Sequence, residues 1–174
     1  MHNEALRWLQ SQVNSDPSLK GRYGIDIGGR NINGGIKNLF DPAGWVALDH
    51  IAGSGVDIVA DLRTFYPEKK WGLVTCTEVA EHLEGDDLPL LISTLWRCCA
   101  SDGAVLFTAA MDPRKPHNSV GVLGVPENEP YCNVDPEKLE TAMANHFDKV
   151  EMSFDFKHGD VYCIAKLPRE VAVP

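Results

Sequence analysis

Short apolar runs recur along the chain, and each of them ends at a glycine, an acid or a turn sequence. Runs of this length with such boundaries predict buried β-strands. The predicted strands cover residues 22–27, 45–48, 56–60, 72–76, 104–110, 150–156 and 161–167. The last two flank Lys157-His158-Gly159-Asp160, which is typical of a tight turn, so we expect a terminal antiparallel hairpin.

The first predicted helix covers about Asn3 to Val13, where apolar residues recur near helical spacing. Its predicted inward positions are Leu6, Leu9 and Val13. Residues 32–40 form either a first crossover helix or a long loop with one helical turn, because Asn33-Gly34-Gly35 is a poor helix start.

Two further helices are predicted in the second half of the chain. The first begins at Asp86-Asp87-Leu88-Pro89, with an acidic cap and a proline in the first turn, and ends at Ser101-Asp102-Gly103. Its predicted buried stripe is Leu88, Leu91, Ile92, Leu95 and Cys99. The second begins at Asp135-Pro136, and its predicted inward positions are Leu139, Met143 and Phe147.

Strands that alternate with helices and loops predict an α/β fold. We expect one domain over residues 1–174: a Rossmann-like, doubly wound, mostly parallel sheet in a three-layer sandwich, with a C-terminal antiparallel hairpin strand. Residues 1–20 would form an N-terminal helix and lead-in. Residues 111–133 have no hydrophobic period and are rich in proline and glycine, so they predict a long loop.

Composition narrows the functional classes. A net charge of −9 argues against a nucleic-acid partner, which would favour a basic surface. No run approaches the ~20 apolar residues of a membrane span, and the start lacks the basic-then-apolar layout of a secretory signal. The 5 cysteines show no CxxC spacing, so we expect reduced thiols in a cytoplasmic protein.

Candidate chemistry concentrates where the first three strands end. The first ends at the bend Gly28-Gly29, the second at Asp49 and the third at Asp61. In an open parallel sheet these carboxyl ends share one edge, where glycines let the backbone approach a ligand and an acid can hold ribose hydroxyls. The pattern predicts a nucleoside-cofactor site.

These residues and one further motif carry a family resemblance. Four parts of the chain resemble motifs of class I S-adenosylmethionine-dependent methyltransferases. The acid-x-Gly opening resembles Asp26-Ile27-Gly28, the ribose-binding acid resembles Asp49, and the pair beside the adenine resembles Asp61-Leu62. The family's Glu-Val-x-Glu-His run resembles Thr77-Glu78-Val79-Ala80-Glu81-His82-Leu83. The terminal hairpin is also similar to that family. The resemblance implies methyl transfer to a small-molecule acceptor.

The glycine loop departs from the family pattern, because Arg30 and Ile32 occupy the later glycine positions. The run 28–34 instead resembles a Gly-x-Arg-x-x-Asn-Gly variant of small bacterial and phage-encoded members. The similarity extends to His117-Asn118-Ser119 and to residues 131–136, and so covers nearly the whole chain.

The resemblance implies S-adenosyl-L-methionine as cofactor and S-adenosyl-L-homocysteine as product. The residues expected to contact the cofactor are Asp26, Gly28, Gly29, Arg30, Asn33, Asp49, His50, Asp61, Leu62 and Glu78. The acceptor would meet His82, His117 and Tyr131, with residues 111–133 on the substrate side. Glu78 or His117 would act as the base for an acceptor that must lose a proton.

Two alternatives to the methyltransferase interpretation stay open. The altered glycine loop is compatible with a non-catalytic binding or regulatory module, and a nicotinamide-dependent oxidoreductase is the weaker third option. The short chain implies an open pocket unless a second subunit of a homodimer covers it. No metal is expected, because Glu78-Val79-Ala80-Glu81-His82 lacks a second histidine at ligand spacing.

Overall fold

The computed structural model describes residues 3–32, 34–85, 87–118 and 129–170. Its helices are α1 Asn3–Ser15, α2 Lys37–Phe40, α3 Leu88–Cys98 and α4 Pro136–His146. Its strands are β1 Tyr23–Ile27, β2 Gly44–Asp49, β3 Ile58–Val59, β4 Trp71–Thr77, β5 Cys99–Ala110, β6 Phe147–Asp155 and β7 Asp160–Pro168. Single 3₁₀ turns lie at Pro17–Leu19 and Ala80–His82.

Within these residues the strands form one seven-stranded sheet in the order β3-β2-β1-β4-β5-β7-β6. The neighbours from β3 through β5 pair in parallel, whereas β7 runs antiparallel to both β5 and β6. The reversal of strand order between β1 and β4 creates a crevice at the carboxyl edge, where ligands bind in open α/β sheets. The predicted fold class is confirmed.

Helices cover both faces of this sheet. Leu9 of α1 and Phe40 of α2 pack with Leu106 of β5 on one face. The next residue of β5, Phe107, packs with the apolar side chains of α3 and α4 on the other. Because successive side chains of a strand point to opposite faces, the central strands contribute to two cores. The result is a three-layer sandwich.

The predicted apolar face of α1 is wrong at one position. Ala5, Leu9 and Val13 are buried, whereas Leu6 is 37% exposed. Trp8 stacks on Tyr162 of β7 with ring centroids 5.1 Å apart, and this contact turns the helix towards the Ala5 side. Tertiary packing therefore selects a neighbouring stripe of the same helix.

The predicted end of α3 is also wrong. The helix stops at Cys98, and Cys99 begins β5 instead of completing the helical stripe. The strand pairing shifts register between Trp71 and Leu73, so Ser101-Asp102-Gly103 lies in an irregular part of β5. A Cβ at Gly103 would lie 2.8 Å from Cys99 Sγ and 3.0 Å from the Trp71 carbonyl oxygen, so this glycine permits a close strand approach.

Other boundaries differ less. The first crossover contains one helical turn, which is the loop-rich alternative predicted for residues 32–40. Phe147 is buried, but at the start of β6 and not on α4. At the far end of the hairpin Phe154 and Phe156 stack on each other, and Phe156 is 71% exposed. Asp87 precedes α3 but its side chain makes no capping hydrogen bond.

All five cysteines are free thiols. None of the helices in the described part of the chain has the length and apolar content needed to cross a membrane.

Two leucines on opposite sides of the burial boundary of α1, Leu9 and Leu6, give a matched pair of variants that tests which face of the helix is buried. Leu9→Ala should lower the free energy of unfolding by about 2–5 kcal/mol, because it opens a cavity in a packed core. Leu6→Ala should change it by less than about 0.5 kcal/mol, since the side chain is exposed. Urea denaturation followed by circular dichroism measures both. Equal losses of unfolding free energy in the two variants would contradict the observed buried face of α1.

Candidate functional site

A cavity of about 420 Å³ lies at the carboxyl ends of β1, β2 and β4. Its size falls within the range of small-molecule and cofactor sites, roughly 300–1,000 Å³. Residues from three strand ends and five connecting segments line it: Asp26, Gly28–Ile32, Gly34–Ile36, Leu48–His50, Ala60–Arg63, Thr77–Val79, His82–Glu84, Asp87 and Pro130.

The bend after β1 is fixed by one carbonyl group. The backbone N–H groups of Gly28 and Gly29 both donate to the Leu48 carbonyl oxygen, at 2.7 and 3.0 Å. Gly28 has a φ of +77°, and a Cβ there would lie 2.3 Å from Val79 Cγ2. A Cβ at Gly29 would lie 2.9 Å from the Asp26 carbonyl oxygen. Only glycine fits at these two positions.

The loop after the bend packs against the loop that follows β2. The backbone N–H of Asn31 donates to the Ser54 carbonyl oxygen at 2.9 Å, and the stem of Arg30 lies against Gly53. Arg30 Nε is buried and makes no hydrogen bond within the described residues. Such a donor needs an acceptor, and the cavity is the place where a ligand would supply one. Asn33 lies outside the described residues.

Asp26 is a buried carboxyl group on β1, 8% exposed. The Thr75 hydroxyl donates to Asp26 Oδ1 at 2.7 Å. Burial raises the pKa of Asp26 from 3.8 to about 7, and the negative charge of Asp49 adds to the rise while the Thr75 hydrogen bond opposes it. Asp26 therefore sits at the cavity wall as an acid that a positively charged ligand group would ionise.

Asp49 ends β2 and is also 8% exposed. Its Oδ1 accepts the backbone N–H of Ile51 at 2.9 Å and lies 3.2 Å from Nδ1 of His50, whose side chain is 72% exposed. Among the described residues both contacts use Oδ1, and Asp49 lines the cavity, so Oδ2 can accept from a ligand there. Such a carboxylate suits a pair of neighbouring hydroxyl groups.

Asp61 lines the cavity beyond β3 and is held by a neighbouring cation. Arg63 donates to both of its carboxylate oxygens, and Arg63 Nη1 lies 3.4 Å from Asp87 Oδ2. The hydrogen bonds from Arg63 lower the pKa of Asp61 to about 2. Asp61 is thus ionised at neutral pH, and Leu62 beside it adds apolar surface to the cavity wall.

Glu78 follows β4 in a left-handed backbone conformation, with a φ of +56°. This conformation is uncommon for a residue other than glycine, and it is typical of functional segments that the surroundings hold in place. Two bonds hold it here: the Glu78 backbone N–H donates to the Thr108 carbonyl at 2.9 Å, and the Thr108 hydroxyl donates to Glu78 Oε1 at 2.8 Å.

Three rings and a buried acid meet at one side of the cavity. The ring centroids of His82 and His117 are 5.4 Å apart, and Tyr131 lies 5.6 and 5.0 Å from them. Glu81 is buried beneath them, and burial, followed by the charge of Glu78, raises its pKa well above the ordinary value. Burial and the neighbouring His117 lower the pKa of His82.

Every described residue that the sequence predicts as a cofactor contact lies on this cavity, as does His82. His117 and Tyr131 do not line it but contact His82 at its rim. Sequence reasoning missed Arg63 and Pro130. It also missed Val79, which packs on the glycine bend although it belongs to the Glu-Val-x-Glu-His run. Arg63 directly follows Asp61-Leu62 in the sequence, and this adjacency could have indicated that Arg63 lines the cavity.

The sequence matches no protein-family model and no curated protein. Solved structures do match. An S-adenosylmethionine-dependent methyltransferase from Clostridium acetobutylicum superposes with a TM-score of 0.68 at 10% identity, covering 96% of this chain and 92% of that one. The N-methyltransferase NodS from Bradyrhizobium japonicum, in complex with S-adenosyl-L-homocysteine, gives 0.65 at 15% identity, covering 96% and 89%.

A third match is the 1,6-didemethyltoxoflavin-N1-methyltransferase of Burkholderia thailandensis, with bound 1,6-didemethyltoxoflavin and S-adenosylhomocysteine. Its TM-score is 0.62 at 12% identity, covering 95% of this chain and 78% of that one. All three superpose on nearly the whole of this chain. The fold is that of the class I methyltransferases. At identities of 10–15% the likeness is one of fold alone.

The raised pKa of Asp26 predicts a pH-dependent stability of the ligand-free protein. Since the folded state holds this proton more tightly than the unfolded state, the contribution to stability is full below pH 3.8 and is lost as pH rises to about 7. Asp26→Asn stays neutral, so it should match wild type near pH 4 and exceed it above pH 7, by up to about 4 kcal/mol at about 1.4 kcal/mol per pKa unit.

Denaturant unfolding of wild type and Asp26→Asn between pH 4 and 8 measures this difference. A difference that stays constant with pH would contradict the assigned pKa. Thr75→Val removes the hydrogen bond that opposes the rise, so its stability should continue to fall to higher pH than that of wild type.

Proposed function

We propose that this protein is a methyltransferase that binds S-adenosyl-L-methionine in the cavity and passes its methyl group to a small-molecule acceptor. The observation that carries the proposal is the convergence of Gly28, Asp49 and Asp61 on one cavity at the carboxyl edge of a methyltransferase-type sheet. Neighbours with this fold have been crystallised with S-adenosylhomocysteine, which supports the choice of cofactor.

The residues present fit the adenosine half of the cofactor. Asp49 would accept hydrogen bonds from the ribose hydroxyls through Oδ2, the carboxylate oxygen that its protein contacts leave available. Asp61 would accept from the adenine amino group, and Leu62 would cover the ring, in an arrangement that combines an apolar wall with a few polar groups. His50 would cover the ribose side from solvent.

The residues also fit the amino-acid half. The Gly28-Gly29 bend lets a ligand approach the backbone closely, because neither position carries a side chain. Asp26 would hold the ammonium group, and the buried Nε of Arg30 would donate to the carboxylate. Arg30 thus takes a role that suits its place in the variant glycine loop, with Asn33 as a second candidate donor.

When bound, S-adenosyl-L-methionine supplies an electrophilic methyl group on a sulfonium sulfur. The protein's contribution is to place the acceptor in line with that group and to exclude water, which can account for most of a rate enhancement. The acceptor side is bounded by His82 and Pro130 in the cavity, and by His117 and Tyr131 at its rim. Glu78 and His117 are the candidates for receiving a proton from the acceptor.

A non-catalytic binding module would differ from a methyltransferase in one measurable property, the release of S-adenosylhomocysteine. A module would bind the cofactor, or a partner, without releasing S-adenosylhomocysteine in the presence of any acceptor. A transfer assay with a panel of hydroxyl-bearing and amine-bearing metabolites separates the two. A nicotinamide-dependent oxidoreductase would instead bind the dinucleotide in preference to S-adenosylmethionine.

Calorimetry with S-adenosylhomocysteine tests the site directly. Wild type should bind it, and Asp49→Asn should bind about 10- to 100-fold more weakly, because hydrogen bonds to a charged group contribute about 1.5–3 kcal/mol. Asp102→Asn makes the same charge change at an exposed position of β5 outside the cavity, and should bind as wild type does. Unchanged affinity in a folded Asp49→Asn variant would remove Asp49 from the site.

A further inference from the structure

Glu81 carries a fully buried carboxyl group. Its side chain is 0% exposed, and neither oxygen makes a hydrogen bond within the described residues, although the backbone N–H groups of Ala110 and of Glu81 itself lie near. Burying a carboxylate without a partner is costly, and proteins resolve the cost by pairing the group or by giving it to a metal ion. None of the ion pairs between described residues includes Glu81.

Two histidines lie beside this carboxyl group. One ligand atom each of Glu81, His82 and His117 lies within 4.8 Å of the other two. Nδ1 of His82 is buried and makes no hydrogen bond within the described residues. Nδ1 of His117 lies 3.3 Å from the Lys115 carbonyl oxygen. A histidine that donates one ring N–H to a backbone carbonyl keeps the other nitrogen as a lone pair, which is the usual support of a metal ligand.

The segments that carry these residues are tied to the sheet. The backbone N–H of Cys132 donates to the Glu81 carbonyl at 2.8 Å, and Asn133 Nδ2 donates to the Arg114 carbonyl at 3.0 Å. Arg114 in turn pairs with the buried Asp160 at the start of β7. His117, three residues beyond Arg114, is therefore presented by an anchored segment, and precise support is what a ligand site requires.

We propose that Glu81, His82 and His117 form a binding site for one divalent transition-metal ion beside the cavity. With His117 on the ion, Glu78 is the remaining candidate base. Sequence spacing argued against a metal because a second histidine was missing, and the fold supplies it from a distant loop. Ligand atoms about 2.1 Å from such an ion are about 3 Å apart, so small side-chain rotations close the observed separation. Two imidazoles and a carboxylate suit Mn²⁺, Fe²⁺, Co²⁺ or Zn²⁺ better than Mg²⁺, which prefers oxygen ligands.

The position of the site indicates that the ion would bind the methyl acceptor, and this role rests on the proposed function. His82 lines the cavity, so a bound ion would face the acceptor side. Three protein ligands leave up to three positions of a six-coordinate ion for other groups. The ion would hold an acceptor that presents two neighbouring oxygen donors, such as vicinal hydroxyls or a hydroxy acid, and so fix its orientation relative to the cofactor.

Titration of chelator-treated protein with CoCl₂, followed by visible absorption and calorimetry, tests the site. Wild type should bind one ion with the absorption bands of histidine-ligated Co²⁺, and MnCl₂ and ZnCl₂ should compete with it more strongly than MgCl₂. Glu81→Gln and His117→Phe should each weaken binding by on the order of 100-fold or more, since even outer partners of metal ligands contribute 10- to 100-fold. Glu81→Gln keeps the size of the side chain and His117→Phe keeps an aromatic ring, and thermal unfolding verifies that both fold.

His158→Phe is the matched control. His158 pairs with Asp155 on the hairpin, with 2.7 Å between Nδ1 and Oδ2. The variant therefore tests for nonspecific Co²⁺ binding by a histidine beside an acid. It should leave the affinity for Co²⁺ unchanged. Absence of binding to wild type at millimolar Co²⁺, Mn²⁺ and Zn²⁺, or an equal loss in His158→Phe, would overturn the proposal and leave the three rings as a packing cluster.

S-adenosylhomocysteine calorimetry on the same metal-free protein separates this proposal from the proposed function. Binding of the cofactor product without any ion binding would reject the metal site alone. Binding of Co²⁺ without S-adenosylhomocysteine would reject the cofactor assignment and leave the metal site standing.

Discussion

A single carbonyl group determines the geometry of the cavity. The oxygen of Leu48 accepts two successive N–H groups, those of Gly28 and Gly29, and so turns the chain away from the sheet as β1 ends. The turn leaves room between β1 and β4, where the strand order reverses, and it packs the Val79 side chain of the next segment against the glycine backbone. Beyond this turn Asn31 donates to the Ser54 carbonyl, so the chain after β1 packs on the loop that follows β2.

The same edge collects the buried acids of the protein. Asp26, Asp49 and Glu81 are all buried, and each carries a cost that the apolar core does not offset. Parallel strands bring their carboxyl ends together, so acids placed there raise one another's pKa, as Asp49 does for Asp26 and Glu78 for Glu81. A structure that keeps such groups together is suited to ligands with positive charge or many hydroxyl groups.

Sequence reasoning predicted the sheet and most of the cavity because both depend on local signals. Gly28, Asp49 and Asp61 each end an apolar run, and parallel strands bring run ends together. The side of α1 that is buried could not be read in the same way, since Leu6 and Ala5 both fit a helical stripe and the Trp8 contact with Tyr162 decides between them. The juxtaposition of His117 with Glu81 is likewise a property of the folded loop, not of spacing.

Arg63 has a consequence for how the cavity responds to occupancy. Its guanidinium joins Asp61 on the wall to Asp87, the residue just before α3. The Asp87 side chain makes this ion pair and no capping hydrogen bond, and α3 begins without a side-chain cap. A ligand that donates to Asp61 would compete with Arg63 and leave its guanidinium to Asp87, so occupancy of the cavity and the capping of α3 are linked through one side chain.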